Sequence, residues 1–514
     1  MFLRIRMKRF AVLAAALLLG GCAGIPADRG LSASNALMTL RGGLEVAAPH
    51  PEEEMRKLTA EWLAAPLTVE SAQRIALTRN PRLLAQYARL GIAQAEVYEA
   101  ARISNPLFSF AWLDGNAGGA QLALGLAQNF ADLLYLSPRK RLARGGLTRT
   151  QQQVADDLLA LAAEVEGSYY AYIGTAAVSD LRVAIATAGE AAAGLAQRFF
   201  DAGNISRLQL NREQAAASAA RIAADSAAAE MLAARAALNK LLGVMADEDR
   251  WTAPTRLPLP VTEEDESSDL QRLAATGRLD LIAARGAVTL LEDSLGVTRS
   301  FRLLGDVQLG VDYEHETDGS RLLGPTLGLT LPVFNWGAGR VERARSELDL
   351  ALAEARQLEI QISNDLRLAQ GKVASARVVI ERYRSQLIPQ REEVVRRAME
   401  MQNYMLIGQF EVLQAKQQEF DAYQGYLEAL GLYWQSRAQL AKAVGARLPS
   451  TAQVASAGVE PEALIQPGIK MNDVKRMEEM DHASHDMGAM KAAPAEGAHA
   501  GHVMHNMDQD GGKQ

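Results

Sequence analysis

The chain of 514 residues carries 61 acidic and 54 basic side chains, a formal charge of −7, and it contains one cysteine and seven histidines. This acidic balance argues against nucleic acid as a partner, and a single cysteine excludes a disulfide within the chain. The length alone suggests two to four ordinary domains, yet no linker rich in proline, glycine and serine divides the middle of the chain.

The first residues are typical of a secretory signal. Four basic residues among the first nine precede an apolar run over residues 10–19, which is too short to span a bilayer. The run ends at Leu19-Gly20-Gly21-Cys22. These residues resemble a bacterial lipobox, in which the signal is cut before a cysteine and the thiol then carries a lipid. The alternative is an ordinary cleavage site beside an unrelated cysteine.

The lipobox interpretation predicts removal of residues 1–21 and a covalent lipid on Cys22. Removal leaves 50 basic against 61 acidic groups, a formal charge of −11. Ala23 stands where a retention-type aspartate could have followed the cysteine. The resemblance to sorted lipoproteins therefore implies the outer membrane as the destination.

Two pairs of segments recur at a nearly constant offset. Residues 73–84 match residues 271–282 at an offset of 198, and residues 199–214 match residues 401–416 at an offset of 202. We interpret them as two copies of one long unit, each ordered as helix, two short strands, very long helix, tight tip and helix. The predicted organisation is a signal peptide (1–21), an N-terminal extended segment (22–66), a first repeat (67–250), an inter-repeat linker (251–268), a second repeat (269–448) and a disordered tail (449–514).

Long helices are predicted from composition and from the spacing of apolar residues. Residues 154–200 and 208–242 are rich in Ala, Leu, Gln and Arg and almost free of proline. In the second copy a seven-residue recurrence, typical of coiled-coil packing, predicts a helix from Ala338 to about Met401, roughly 90 Å long, with a kink at Pro389. The recurring residues are Val341, Leu348, Ala355, Ile362, Leu366, Val373, Ile380 and Leu387.

Apolar and polar residues alternate in strands predicted over about 106–130 and 305–334. Such segments of nine to eleven residues fit outer-membrane strands, although a soluble, half-buried hairpin would show the same pattern. The apolar positions are Phe108, Phe110, Trp112, Leu122, Leu124, Leu126, Val307, Leu309, Val311, Tyr313, Leu327, Leu329, Leu331 and Val333. Four membrane strands leave two open edges, which hydrocarbon does not permit, and closed bacterial barrels have at least eight strands. The chain would therefore have to oligomerise, and three copies would supply twelve strands.

The segment Leu331–Arg340, LPVFNWGAGR, leads from the last strand into the long helix, and predicted tips lie at Gly203–Ser206 and Met405–Gly408. With the repeat and the lipobox, these features resemble the outer membrane factor (TolC-like) channels of tripartite efflux systems over about residues 67–446. Ser137–Arg141 is expected at the corresponding corner of the first copy.

The resemblance implies a mainly α-helical fold with a small membrane β part. Three copies would form a 12-stranded outer-membrane β-barrel, continued by a long periplasmic α-helical barrel. It further implies a homotrimer in outer-membrane lipid that meets a periplasmic adaptor protein and an inner-membrane pump. A protein of this kind is a conduit and catalyses no reaction.

The resemblance also implies an acidic ring at the periplasmic constriction. Counting from the second tip, that position is Glu411, where three carboxylates around an axis would attract cations and repel one another. The family's second acid is Gln414 here, and the first-copy position is Gln209, so neither adds charge. The alternative for Glu411 is a solvated helix face. The polar loop from His315 to Arg321 is expected outside the cell.

The tail concentrates five of the seven histidines and seven of the sixteen methionines. Thioether and imidazole together favour Cu(I) or Ag(I), and imidazole with carboxylate could also take Cu(II) or Zn(II). The low-complexity composition predicts disorder and resembles the Met/His segments of periplasmic copper-resistance proteins. A chance polar tail is the alternative. The candidate ligands are Met477, Met480, His482, His485, Met487, Met490, His499, His502, Met504, His505 and Met507.

The sequence therefore predicts a lipid-anchored outer-membrane channel that exports copper or silver ions and gathers them with its tail. We expect no enzyme and no required cofactor, because His50 and His315 are isolated and no Ser-His-Asp or P-loop pattern occurs. Two alternatives stay open at this point. One is a drug or solvent channel with an incidental tail, and the other is a periplasmic coiled-coil scaffold or metal buffer that spans nothing.

Overall fold

The computed structural model describes residues 25–49, 51–114, 119–254, 256–303, 305, 307–453 and 458–459. All of them belong to one compact unit, Met1–Ile465, and the second unit, Gln466–Gln514, lies outside the described residues. The described part is mainly helical, with a four-stranded sheet and a two-stranded pair. None of its helices combines the length and the apolar character needed to cross a membrane.

The first half of the chain contains one very long helix that follows a strand hairpin. Its elements are α1 (Leu31–Thr39), α2 (Glu52–Leu63), α3 (Val69–Arg79), α4 (Pro81–Ala100), β1 (Leu107–Asp114), β2 (Ala120–Asn129), α5 (Ala131–Asp201) and α6 (Arg207–Leu242). Thr68 and Ser71 form a capping box at the start of α3, and Gly243 ends α6 in the left-handed region, with φ 70°. The segment 22–66, predicted to be extended, instead contains α1 and α2.

The second half repeats the order of elements found in residues 69–242. Its elements are β3 (Leu257–Pro258), α7 (Ser267–Gly277), α8 (Leu279–Ser300), β4 (Val307–His315), β5 (Arg321–Leu329), α9 (Ala338–Arg382), a π-helical turn (Tyr383–Leu387), α10 (Ile388–Asn403), α11 (Gln409–Val444) and β6 (Gly458–Val459). The predicted helices over 208–242 and from Ala338 to about Met401 are confirmed. The helix predicted over 154–200 is longer than expected, because α5 spans 71 residues, roughly 105 Å.

The four longer strands form one antiparallel sheet in the order β1-β2-β4-β5. The pairing of β2 with β4 joins the two halves of the chain, with Leu124 opposite Tyr313 and Leu126 opposite Val311. In the small second pair, Leu257 of β3 lies opposite Val459 of β6. The start of the predicted tail is therefore attached to the body of the chain.

The long helices bury small and aliphatic side chains at heptad spacing. In α6 the buried residues include Leu210, Ala217 and Ala224, seven apart. In α9 they follow the predicted recurrence from Ala355 to Ile380. Because alternating steps of three and four residues keep one stripe against the neighbouring helix, this pattern is typical of knobs-into-holes packing.

The helix continues through Pro389, as predicted, but the backbone adjusts before the proline. Proline has no N–H to donate and its ring crowds the carbonyl four residues earlier, and the π-helical turn Tyr383–Leu387 lies directly ahead of it. This turn holds one extra residue, which shifts the buried stripe. Ile388 is therefore fully buried, whereas Leu387, the predicted heptad position, is only half-buried.

Three predicted boundaries at the sheet are wrong. β5 ends at Leu329, so Leu331 and Val333 lie in the corner, which ends at Gly337 with φ 72°. Residues 137–141 lie inside α5, not at a corner, because Asn129 Oδ1 accepts from Ala131 N at 3.0 Å and α5 starts directly there. Finally, His315 and Arg321 pair as strand residues, so the loop between β4 and β5 is only 316–320.

A substitution at Gly425 can test how tightly the π-helical turn is packed. A Cβ at this position would lie 2.6 Å from Cζ of Tyr383, whereas a Cβ at Gly431, also in α11, would meet Gly174 Cα at 3.5 Å, an ordinary contact. We expect Gly425→Ala to lower the free energy of unfolding by about 1–3 kcal/mol through overpacking. Gly431→Ala, the matched control, should be neutral or stabilising because alanine favours a helix.

The measurement is denaturant unfolding of both variants in detergent. Truncating the ring, as in Tyr383→Leu, should remove most of the Gly425→Ala penalty. Equal stabilities of the two alanine variants would contradict the packing argument.

Candidate channel surfaces

The register of the sheet aligns apolar side chains in rows on one face. Residues directly opposite each other in antiparallel strands share a face, so Phe110, Leu124, Tyr313 and Leu323 form one row across the sheet. The next row contains Phe108, Leu126, Val311 and Pro325. Phe108 and Phe110 are each 63% exposed and Leu323 is 74% exposed. A large apolar face therefore lies open to the surroundings of this single chain.

The opposite face of the sheet is mostly small and polar. Ser109, Gly125, Asp312 and Gly324 form a row there. A Cβ at Gly125 would lie 2.6 Å from Asp312 Oδ1, so only glycine lets the side chains on its two sides converge. Other polar residues of this face are Gln121, Asn129, Gln308, Glu314 and Thr326. Its large apolar residues are Leu107, Leu113 and Leu322.

The sheet has two edges, formed by β1 and β5. Within the described residues neither edge is paired with a further strand. Unpaired edges present rows of N–H and C=O groups, which cannot face hydrocarbon and which template pairing with another chain. The sheet therefore needs additional strands before it can enter a membrane.

The two tips have the same backbone hydrogen bonds. At the first tip Gly203 N donates to Phe200 O at 2.9 Å and Asn204 N donates to Phe199 O at 2.8 Å. At the second tip Met405 N donates to Gln402 O at 2.8 Å and Leu406 N donates to Met401 O at 2.9 Å. Both are Schellman motifs, which end a helix with one residue in the left-handed region.

Met405 occupies the left-handed position that Gly203 holds at the first tip, with φ 59° against 76°. A side chain at such a φ costs about 1–2 kcal/mol. The Met405 side chain is 93% exposed, and its neighbours Tyr404 and Leu406 are 79% and 68% exposed. Sequence analysis missed this strain, although the offset of 202 that aligns Met405 with Gly203 was a signal for it. Strained, exposed positions of this kind concentrate at functional surfaces.

Glu411 lies in the first turn of α11, three residues after the N-cap Gly408, and it is exposed. Its carboxylate folds back over the N-cap, because a Cβ on Gly408 would lie 2.8 Å from Glu411 Oε2. An acidic residue at this place complements the helix dipole. Glu411 therefore stabilises the start of α11 locally. Gln414, the position of the predicted second acid, is also exposed.

A buried polar network, which sequence analysis also missed, anchors the linker between the two halves. Glu264 accepts from Tyr433 Oη at 2.6 Å and also pairs with Arg437, which is 2% exposed. Trp434 Nε1 donates to Pro258 O at 2.7 Å, and Ser450 Oγ accepts from Arg437 at 2.8 Å. The first residues of the predicted tail, Pro449–Gln453, are thereby held against α11.

A cavity of about 510 Å³ beside this network is lined by charged side chains of both signs. Burial raises the pKa of Asp156 to about 6, with a further contribution from Asp280, while Arg278 opposes the shift. Burial also raises the pKa of Glu166, opposed by Arg437. Carboxylates and guanidinium groups therefore line the same polar cavity between helices.

The other predicted site residues lie outside the described part of the chain. These are Cys22 and all the tail ligands, namely Met477, Met480, His482, His485, Met487, Met490, His499, His502, Met504, His505 and Met507. Among the residues that the structure describes, no group of three His, Cys, Asp or Glu side chains could hold a metal ion. Metal binding and lipidation therefore stay predictions.

No known family profile and no curated protein sequence matches the chain. Solved structures do match it. The CmeC outer membrane channel of Campylobacter jejuni aligns with a TM-score of 0.63 at 16% identity, covering 80% of this chain and 91% of CmeC. The chain has the fold of an outer-membrane channel.

Two further structures support that conclusion about the fold. CusC, whose solved structures concern its folding and transmembrane channel formation, aligns with a TM-score of 0.60 at 16% identity, over 74% of this chain and 92% of CusC. The outer membrane protein VceC of Vibrio cholerae aligns with a TM-score of 0.61 at 16% identity, over 74% of this chain and 96% of VceC. At this identity the likeness concerns the fold and leaves cargo and partners open.

Proposed function

We propose that the chain is an outer membrane factor of a tripartite efflux system, in which three copies form one outer-membrane channel. The observation that carries the proposal is the sheet, which combines exposed rows of apolar side chains on one face with two open edges. A soluble half-buried hairpin would cover its apolar face with the rest of the chain, whereas Phe110 and Leu323 stay exposed here. The fold of the solved channels supports the same conclusion.

Closure of the sheet follows from hydrogen bonding in lipid. The edges β1 and β5 of neighbouring copies would pair, so that three copies give a 12-stranded barrel with no free edge. The row of Ser109, Gly125 and Asp312 would then line a wet lumen, while Leu124 and its row would face lipid. In this arrangement α5 and α9 would continue from the barrel as periplasmic helices, and the two similar halves would derive from an internal duplication.

Partners are proposed on the same grounds. The strained, apolar second tip, Tyr404–Leu406, lies where two long helices end and offers a surface for a periplasmic adaptor, which would link the channel to an inner-membrane pump. Cys22 would carry the lipid anchor. The function proposed is passage of substrate from the periplasm to the exterior, with no catalysis.

The apolar face is tested by placing arginine on each side of the sheet. Leu124→Arg puts a charge in the lipid-facing row and should cost about 2–4 kcal/mol near the bilayer midplane. We expect it to reduce the fraction of heat-modifiable trimer and the conductance in planar bilayers. Ala123→Arg, at the neighbouring position of the same strand on the other face, is the matched control and should keep the trimer and change only conductance and ion selectivity.

Equal tolerance of both arginines would contradict the assignment of the two faces. A wild-type protein that remains monomeric in detergent and never conducts would overturn the channel and favour a periplasmic scaffold.

For Glu411 we propose a place in the constriction, where three copies bring three carboxylates around the axis. Glu411→Gln should then move the cation-to-anion permeability ratio towards unity and weaken block by divalent cations, since the ring supplies the attracting charge. Asp201→Asn, at the end of α5 beside the first tip, is the control that removes a carboxylate elsewhere. The measurement is reversal potential in salt gradients. If both variants match the wild type, Glu411 acts only at its helix start.

For the cargo we propose copper or silver ions, gathered by the Met/His-rich tail. The support is the composition of residues 471–514, where soft ligands recur. A truncation should end after Pro461, because this keeps Ser450 bonded to Arg437 and keeps the pairing of β3 with β6. We expect the full chain, but not the truncated one, to restore copper and silver tolerance to a deletion strain.

A full-length variant with the five tail histidines changed to alanine controls for tail length. If truncated and full chains both restore dye efflux and neither changes metal tolerance, the cargo assignment is wrong and a drug channel is favoured.

A further inference from the structure

An open cleft lies where the sheet meets the long helices. It has a volume of about 410 Å³ and lies between the start of α5, the end of α8 and the start of α9. Its lining includes Tyr135, Phe301, Arg302, Arg340, Arg343 and Glu347. Tyr135 and Phe301 contact each other with ring centroids 4.9 Å apart and ring planes tilted by 53°, and they form an apolar wall.

The cleft carries a net positive charge from three guanidinium groups and one carboxylate. Glu347 Oε1 accepts from Arg343 Nε at 2.8 Å and so offsets that arginine. Arg340 Nη2 donates to the backbone oxygen of Arg302 at 2.8 Å. Among the described residues no carboxylate forms an ion pair with Arg302 or Arg340, which leaves two guanidinium groups available to an anion.

The fold itself holds these two arginines together. Gly337, with φ 72°, ends the corner after β5, and a Cβ there would lie 2.8 Å from Arg302 O and 3.2 Å from Arg340 Nη2. Only glycine combines this φ with such a close approach. The corner therefore presses the start of α9 onto the segment that leads into β4.

The cleft lies at one end of the sheet. Asn129, the last residue of β2, pairs with Gln308 near the start of β4, so both strands reach the cleft end together. Exposed aromatic side chains occupy the connecting segments at this end, with Phe130 at 40%, Phe334 at 99% and Trp336 at 64%. Aromatic belts of this kind lie at the headgroup level of a membrane, on either side of the hydrocarbon.

We propose that this cleft binds the phosphate headgroup of an anionic phospholipid in the leaflet around the sheet. The guanidinium fork matches phosphate oxygens in geometry and charge, and basic pockets at the membrane boundary favour anionic lipid over zwitterionic lipid. Acyl chains would extend from the headgroup along the apolar face of the sheet. The assignment rests on the proposed membrane insertion and adds a specific lipid site to it.

Native mass spectrometry of the full-length protein in detergent tests the site. The probes are dioleoyl phosphatidylglycerol, dioleoyl phosphatidylcholine with the same acyl chains, and glycerol 3-phosphate as the free anion. We expect retained phosphatidylglycerol to fall about fivefold for Arg302→Gln and for Arg340→Gln. Phosphatidylcholine retention should not change. Arg345→Gln, an exposed position on α9 outside the cleft, is the matched control and should behave as the wild type.

Arg302→Gln is the safer variant, because it leaves the backbone bond from Arg340 in place. If both cleft variants keep wild-type retention of phosphatidylglycerol, the site is wrong. If equimolar glycerol 3-phosphate displaces the lipid, the cleft is a free-anion site and the lipid assignment is overturned. Planar-bilayer conductance distinguishes failure of the lipid site from failure of the channel. Cleft variants that conduct normally and still retain the lipid would refute only the lipid site. A wild-type protein that never inserts would refute the channel and the lipid site together.

Discussion

The pairing of β2 with β4 is the contact on which the rest of the structure depends. It joins two halves of the chain that are about 200 residues apart in sequence and sets Leu124 opposite Tyr313 and Leu126 opposite Val311. A slip by one residue would move the apolar residues of one half to the polar face. With the observed register, four strands present one apolar face and leave two edges. Because no backbone group can stay unpaired in hydrocarbon, these edges would need further strands before the sheet could enter a membrane.

The long helices that extend from the sheet are held together by a different kind of packing. Buried alanine and aliphatic residues at heptad spacing let α9 follow its neighbours over 45 residues, because small side chains allow close approach. This packing tolerates the π-helical turn before Pro389. The one extra residue moves the buried stripe to Ile388, and the helix continues. At the far end, two Schellman motifs reverse the chain, one relaxed at Gly203 and one strained at Met405.

Between sheet and tips, polar contacts fix the connecting segments. Glu264 accepts a hydrogen bond from Tyr433 and forms an ion pair with Arg437, so the linker between the two halves is anchored to α11 in the interior. Burial in this region raises the pKa of Tyr433, because the phenolate would lose solvation. At the sheet junction Gly337 brings Arg302 and Arg340 into one cleft. A turn that lets a strand enter a helix thus also creates a basic surface where the lipid headgroups would lie.

The sequence by itself determined the periodic parts of this protein. Two-residue alternation places Phe110 and Leu124 on one face, and seven-residue recurrence marks the stripe of α9, because side-chain direction follows backbone geometry over short distances. It could not place the corner at Phe130, the end of β5 at Leu329 or the shift to Ile388, since these depend on local hydrogen bonds and on proline sterics. The tertiary structure alone decided the β2–β4 register, the anchor of Glu264 to α11 and the cleft at Arg302, because each joins residues distant in sequence whose meeting no local pattern encodes.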